Sequence, residues 1–210
     1  MSVTIEDIKK LRKMTGAGLS DCKNALNETA GNFEEAIEII RAKGKAVAAK
    51  RSDREAAEGC VLAAHSEGFA AIVSLQCETD FVAKNAKFQA YVAQVAAQAL
   101  TTTATDMDAF MDEKWTADES LTVKEALSSE ISIIGENMSI RRFKQVTEEN
   151  GFVSSYIHAG GRIGVLLDVQ TDVVNDAVKE MAKNVCMQVA ALNPKYTNRN
   201  EVSADYIEHE

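Results

Sequence analysis

The sequence predicts an α+β protein in which a three-helix module precedes two related α/β units built on antiparallel hairpins packed with helices. Apolar residues recur at helical spacing over residues 1–43. From Gly59 the spacing changes to the alternation that is typical of strands. The stretch that begins at Gly151 repeats the pattern that begins at Gly59. A chain of 210 residues is long enough to bury a core in one or two domains.

Three short helices are expected in the N-terminal module. The first begins after Thr4, where Asp7 supplies the acidic partner of a capping box, and ends in the Thr-Gly-Ala-Gly motif at 15–18. The second ends at Gly31, and Asn32 caps the third. Each helix carries an apolar face, so the three can form a small bundle near the lower size limit of independent stability.

The first α/β unit is expected to open with a hairpin and a long helix. Residues 60–77 alternate around a Ser-Glu-Gly turn, and an amphipathic helix bearing Phe88 follows. Residues 101–119 are rich in Thr and Asp. That composition predicts a surface loop, with a short helix near Phe110 and Trp115.

A further helix and a strand close this unit. Thr122 and Glu125 form a second capping box, and the helix that they open ends at Gly135. Residues 137–146 alternate as a strand. We therefore expect three strands and two main helices in the first unit.

The second unit is a copy of the first. Residues 151–192 predict a hairpin and a long helix, and a shift of 92 residues places Gly59 on Gly151. The counterpart of the closing strand would lie beyond Glu210, so we expect either an abbreviated second unit or a C-terminally shortened chain. A missing strand would leave a sheet edge. This predicts either a homodimer formed through the second unit or lowered stability of residues 151–210.

The two copies differ beside a shared Thr-Asp pair. Thr79-Asp80 and the pair at 171–172 stand at matching places, and each is expected to cap a helix. Phe81 follows the first pair, whereas Val173 follows the second. Phe81 is either a core residue that folds back or part of a projecting point of contact with another molecule.

The composition favours a protein partner over nucleic acid or a membrane. The 32 acidic residues exceed the 23 Lys and Arg, which gives a net charge of −9 and opposes phosphate binding. No run approaches the roughly 18 apolar residues of a membrane span. The first residues lack the pattern of a signal peptide. We therefore expect a cytoplasmic protein with no direct nucleic-acid partner and no membrane partner.

Residues in catalytic or metal-binding arrangements are sparse. None of the three histidines has a Ser or Cys at motif spacing, and the four cysteines include no CxxC pair. The glycine-rich stretches at 15–18 and 159–164 lack the Lys-Ser/Thr ending of a phosphate loop. We predict no enzyme, no metal and no cofactor. The cysteines are expected to be free thiols in apolar surroundings: Cys22, Cys60, Cys77 and Cys186.

Four stretches of the chain are together similar to one known family. They read LRKMTGAGLSDCKNAL (11–26), CETDFVAKNAKFQ (77–89), IGENMSIRR (134–142) and YIHAGGRIGVLL (156–167). In this order they resemble bacterial translation elongation factor Ts. The resemblance implies that the N-terminal module is like a ubiquitin-associated domain. It also implies guanine-nucleotide exchange on elongation factor Tu, bound in its GDP-loaded and nucleotide-free forms.

The predicted domains follow the pattern and the resemblance. They are the helical module at 1–43, a partly helical linker at 44–58, the first subdomain at 59–147 and the second at 148–210.

The resemblance further implies a set of partner-binding residues. Asp80 and Phe81 match the wedge that reaches the Mg²⁺ side of the GTPase, and Lys23 and Arg51 would add charges at the rim. The remaining predicted contacts are Thr79, Val82, Ile134, Gly135, His158, Arg12, Leu19 and Ser20.

A binding module of another class is the alternative interpretation. The three-helix module could recognise a peptide or a ubiquitin-like surface, as an adaptor without exchange activity. Only the first interpretation predicts that the chain captures a nucleotide-free GTPase.

Overall fold

The computed structural model describes residues 3–209 and confirms the α+β class, with helices first and antiparallel hairpins packed with helices after them. The N-terminal module contains α1 (Ile5–Thr15), α2 (Leu19–Glu28) and α3 (Phe33–Arg51).

The caps predicted at the start of α1, at the end of α1 and at the start of α3 are confirmed. Thr4 and Asp7 form both hydrogen bonds of a capping box, and Gly16 ends α1 in the left-handed conformation at φ 69°. The Asn32 side chain accepts bonds from the first turn of α3. The buried core of the module consists of Leu11, Cys22, Ala25, Leu26 and Ala36.

The first unit forms one antiparallel sheet with helices packed on it. Its elements in chain order are β1 (Glu58–Ser66), β2 (Phe69–Cys77), α4 (Asp80–Ala83), α5 (Ala86–Thr101), α6 (Met107–Asp112), β3 (Lys114–Trp115), β4 (Asp118–Thr122), α7 (Val123–Ile134) and β5 (Met138–Thr147). The sheet has the order β1-β2-β5, and β3 pairs with β4 as a separate ribbon. The apolar face predicted for α5 is buried against this sheet through Phe88, Tyr91, Val92, Val95 and Ala99.

The prediction for residues 101–119 is confirmed in part, since α6 is the short helix expected near Phe110 and most of the stretch lies at the surface, but the stretch is more ordered than a loop. That stretch contains α6 and β3, and both Phe110 and Trp115 are buried. The Phe110 ring lies 4.5 Å from the Phe143 ring, and Trp115 lies 5.8 Å from Tyr91. These tertiary contacts hold two aromatic rings in the core although their neighbours in sequence are polar.

The second unit repeats the first hairpin and helix. It contains β6 (Gly151–His158), β7 (Ile163–Gln170) and α8 (Asp176–Leu192), then a 3-10 turn at Arg199–Glu201 and α9 (Ala204–His209). β6 and β7 pair with each other as a two-stranded sheet. Apolar side chains of α8 such as Met181 and Val185 are exposed. Self-association through this unit stays a prediction.

The prediction that the second Thr-Asp pair caps a helix is wrong. The Thr171 hydroxyl accepts a bond from the N–H of Val173, two residues on, and forms a turn. α8 begins five residues later, where the Asn175 side chain accepts a bond from Val178 N–H at 2.9 Å. The repeat therefore preserves the strands and the long helix but not the structure between them.

Helix α3 joins the module to the first unit. It continues to Arg51, through part of the stretch predicted as a linker, and packs along α7. Lys45 pairs with Glu125 at 2.9 Å, and Arg41 donates to Ser120 at 2.7 Å. The predicted domain boundaries stay predictions.

The predicted free cysteines are confirmed. Cys22, Cys77 and Cys186 are buried and Cys60 is half-buried. Burial raises the pKa of the Cys77 thiol to about 12, and the nearby carboxylate of Glu136 adds to the shift. No helix among residues 3–209 is both long and apolar enough to span a bilayer.

The contact between α3 and α7 predicts a stabilising substitution. A Cβ atom at Gly44 would lie 3.6 Å from the Ser128 carbonyl oxygen, an ordinary contact distance. Gly44→Ala should therefore stabilise the protein by about 0.5–1 kcal/mol, because Ala loses less backbone entropy in a helix. Thermal unfolding measures the change. Gly44→Leu is the control and should destabilise by about 1–3 kcal/mol through overpacking. A lower melting temperature for Gly44→Ala would contradict this account of the contact.

Candidate partner-binding site

One turn of helix projects from the end of β2. We call residues 79–82 the tip. Thr79 is the N-cap of α4 and accepts a bond from Val82 N–H at 3.3 Å. Val82 is half-buried against the core, whereas the Phe81 side chain is 83% exposed. A large apolar ring is therefore held outside the core on a base that is fixed to it.

The predicted capping role of Asp80 is wrong, because Thr79 is the cap. Asp80 is the first residue of α4, and its carboxylate pairs with Lys84 Nζ at 2.8 Å. The hydrogen bond from Lys84 and its charge lower the pKa of Asp80, and Arg162 adds a further positive charge. Asp80 is therefore an exposed anion beside Phe81.

Four residues join the base of the tip to the loop after α7. Glu136 accepts hydrogen bonds from the N–H groups of Glu78 (3.1 Å) and Thr79 (3.0 Å) and from the Thr79 hydroxyl (2.6 Å). In return, the Glu78 carboxylate accepts the N–H of Asn137 at 2.5 Å. We call Glu78, Thr79, Glu136 and Asn137 the clasp. It places Ile134 and Gly135 beside the tip although 57 residues separate Thr79 from Glu136.

Ile134 and Gly135 form the end of α7. Ile134 is half-buried against the core, and Gly135 ends the helix at φ 91°, a conformation that favours glycine. A Cβ atom at Gly135 would lie 3.9 Å from the Arg51 guanidinium. The structure therefore brings Arg51, Ile134 and Gly135 together next to the clasp, as the predicted contact set requires.

The turn of the second hairpin contacts β1, the first strand of the first sheet. Gly161 O accepts the N–H of Val61 at 2.6 Å, and Arg162 lies 3.5 Å from Glu58. A Cβ atom at Gly161 would lie 2.5 Å from Cys60 Sγ, so the close approach requires glycine.

His158 lies at the start of this turn. It is exposed, and its Nδ1 atom lies 2.9 Å from Tyr156 Oη. Within residues 3–209 no hydrogen bond or ion pair links His158 to the tip. Its place in the partner-binding set stays a prediction.

The N-terminal module meets the end of α7 from another direction. A Cβ atom at Gly16 would lie 2.9 Å from Ile133 Cδ1, which shows how closely α1 approaches α7. Leu19 is 49% exposed at the start of α2. The other predicted contacts of the module are exposed as well: Arg12, Ser20 and Lys23.

The structure thus collects most of the predicted residues around the end of α7, and it adds residues that the sequence reasoning missed. Glu78, Glu136 and Asn137 lie within the quoted stretches 77–89 and 134–142, but no local pattern indicates their hydrogen bonds, because the partners lie far apart in the chain. Among residues 3–209 no group of three His, Cys, Asp or Glu side chains is arranged to hold a metal ion. The arrangement presents an exposed aromatic ring, an anion and a helix end, a combination that is typical of surfaces that bind another protein.

Comparison with known proteins shows one family. The family model described as Elongation factor TS matches residues 78–210. The chain is 49% identical to elongation factor Ts of Clostridium botulinum over 210 residues, which cover 99% of this chain and 69% of that relative. It is 47% identical to elongation factor Ts of Clostridium tetani over the same shares. It is 44% identical to elongation factor Ts of Clostridioides difficile, over 100% of this chain and 69% of the relative.

The exposure of Phe81 predicts a small effect on folding. Phe81→Ala should change the free energy of unfolding by less than about 1 kcal/mol, as surface substitutions do. The matched control is Phe88→Ala, since Phe88 is fully buried on α5 and should cost about 3–5 kcal/mol. Thermal or denaturant unfolding measures both. Equal losses in the two variants would show that Phe81 is a core residue.

Proposed function

The chain belongs to the elongation factor Ts family, and from that membership we propose that it promotes release of GDP from elongation factor Tu. The family match supports the partner and the activity. The exposed tip supports the proposed mechanism of release. In this mechanism Phe81 and Asp80 displace elements that surround the phosphates and Mg²⁺ of the GTPase. The observation that carries the proposal is an aromatic side chain with 83% exposure on a base fixed by hydrogen bonds.

The proposed activity needs a difference in binding free energy and no chemical step. An exchange factor must bind the nucleotide-free GTPase better than the GDP-loaded one. By linkage, bound GDP then lowers the affinity of the GTPase for the exchange protein, and the bound exchange protein lowers the affinity for GDP to the same extent. Mg²⁺ requires nearly ideal octahedral geometry, so a small displacement of its ligands loosens the nucleotide that it bridges. In this function no covalent bond is made or broken by the chain.

Rigidity at the base of the tip supports its role as a wedge. A group that displaces part of its partner must keep its own position in the complex. A flexible loop would change its conformation instead. Thr79 is tied to Glu136, and Val82 packs against the core. Phe81 is therefore carried by two fixed neighbours. We propose that its ring supplies the displacing bulk and that Asp80 contacts the partner directly.

The remaining predicted residues would extend the contact on both sides of the tip. We propose that Ile134, Gly135 and His158 touch the GTPase near the wedge. Arg12, Leu19 and Ser20 would bind it through the N-terminal module, with Lys23 and Arg51 as charges at the rim.

The adaptor interpretation remains a separate hypothesis with its own test. An adaptor would bind a peptide or ubiquitin-like surface through the module alone and would leave GDP release unchanged. Capture of elongation factor Tu that has been stripped of nucleotide, followed by elution with GDP, separates the two. The cytoplasmic location and the lack of a direct nucleic-acid or membrane partner are part of the proposal.

The wedge predicts a large loss of activity from one exposed side chain. Phe81→Ala should slow GDP release by roughly 30-fold, the equivalent of about 2 kcal/mol, which is the lower bound for an interface hot spot. The measurement is release of fluorescent GDP from elongation factor Tu. Val173→Ala is the matched control, because Val173 holds the same place in the second unit, is 55% exposed, and should leave release unchanged. Normal release by a folded Phe81→Ala variant would refute the wedge.

The ion pair beside Phe81 allows the role of Asp80 to be tested. If the Asp80 carboxylate contacts the GTPase, Asp80→Ala should slow GDP release several-fold more than Lys84→Ala, although both break the same pair. The melting temperature should hardly move in either variant, because the pair is exposed and Thr79 provides the cap. Equal release rates for the two variants would mean that only the pair matters and that Asp80 makes no contact of its own.

A further inference from the structure

The direction in which the tip points is not fixed by its local structure. α4 is a single turn of four residues, and helices this short are not stable alone because nucleation is costly. The Phe81 side chain is largely in solvent and packs on little else. The orientation must therefore come from the attachments of the tip to the rest of the protein, which are the packing of Val82 against the core and the clasp that Thr79 joins.

Glu136 is suited to fix that base. Its two oxygens receive three hydrogen bonds, two of them from consecutive backbone N–H groups, so they fix peptide planes as well as a side chain. Bonds to an ionised carboxylate are stronger than bonds between neutral groups, and Glu136 is half-buried. Thr79 Oγ1 donates to Glu136 and accepts from Val82 N–H, which links the carboxylate to the first turn of α4.

The clasp is also attached to the segment that follows α3. Asn137 Nδ2 donates to the Arg54 carbonyl oxygen at 2.7 Å, and the Arg54 guanidinium lies 3.5 Å from the Glu78 carboxylate. The positive charge of Arg54 thus lies beside the Glu78 carboxylate of the clasp. The loop that carries Glu136 is thus fixed by contacts of its own, independent of the tip.

We propose that Glu136 is a positioning residue for nucleotide exchange, whose carboxylate holds Thr79 and so presents Phe81 and Asp80 to the GTPase in one orientation. The inference rests on the proposed function and goes beyond it, because Glu136 acts through Thr79 and does not itself have to touch the partner. Without the clasp only the packing of Val82 and Ala83 would restrain the tip, which would then sample a wider range of orientations. The tip would then have to lose conformational entropy when it binds the partner. In the native protein the clasp has already removed that entropy during folding, so binding is not weakened by it.

The test is a double-mutant cycle on GDP release from elongation factor Tu. Glu136→Ala should slow release about tenfold in the wild-type background and less than about twofold in a background that carries both Asp80→Ala and Phe81→Ala, because the contacts that it positions are already gone. Glu136→Gln should retain part of the activity, since its amide oxygen can still accept the two N–H bonds. Glu149→Ala, an exposed glutamate in another loop, is the control and should release GDP at the wild-type rate.

Amide hydrogen exchange supplies the readout at the tip itself. The N–H groups of Glu78 and Thr79 should exchange faster in Glu136→Ala than in Glu149→Ala, while the amides of α5 stay protected. Equal slowing of GDP release by Glu136→Ala in both backgrounds would overturn the inference, because it would indicate a general loss of structure. Unchanged release, or unchanged exchange at Thr79, would overturn it as well.

The two proposals fail in different ways. A wild-type chain that leaves GDP release at its spontaneous rate would refute the proposed function, and the positioning role with it. A wild-type chain that accelerates release and depends on Phe81, but not on Glu136, would refute the positioning role alone.

Discussion

The arrangement of the candidate site depends on the hydrogen bonds between the Glu136 carboxylate and the start of the tip. They join the end of β2 to the end of α7, two points that are 57 residues apart in the chain. Gly16 of the N-terminal module packs on Ile133, and Arg51 lies beside Gly135, which directly precedes Glu136 in the chain. Residues from three parts of the chain thereby share one fixed reference point, which a protein surface needs if it is to engage a partner at several places at once.

Among the residues that the structure describes, this junction is seen at the first copy of the internal repeat. Both units have a hairpin followed by a long helix, and Thr171 matches Thr79 in sequence. The Thr171 hydroxyl nevertheless forms a turn with Val173, whereas Thr79 caps a helix and binds Glu136. The two identical Thr-Asp pairs therefore differ in their surroundings, and the projecting helical turn is found at the pair whose backbone is bonded to the Glu136 carboxylate. The repeated sequence pattern explains the hairpin and long helix that both units share. The contact with Glu136 explains the projecting turn at Thr79.

The sequence predicts those features whose cause is local. The capping boxes at Thr4 and Thr122 are confirmed, because each hydrogen bond joins residues three apart and the residue types alone indicate it. The burial of Phe110 could not be read from its polar neighbours, because it comes from the Phe143 ring on a distant strand. The role of Glu136 had no sequence signal for the same reason. Most of the site residues could be assigned by motif, but not the contacts that hold them.

A surface organised in this way has a consequence for how binding energy is used. Phe81 contributes little to folding because it is exposed, so its apolar area remains available for a partner. The N-terminal module and the tip are both attached to α7, one through Gly16 and the other through the clasp. Once one of them engages, the other is already near its own target, and two modest contacts act together as intramolecular binding does. That coupling favours a partner whose conformation fits both contacts at once. Under the proposed function, a GTPase that has released its nucleotide would adopt such a conformation more readily than one held closed around GDP and Mg²⁺, and this difference in fit would supply the free energy that exchange requires.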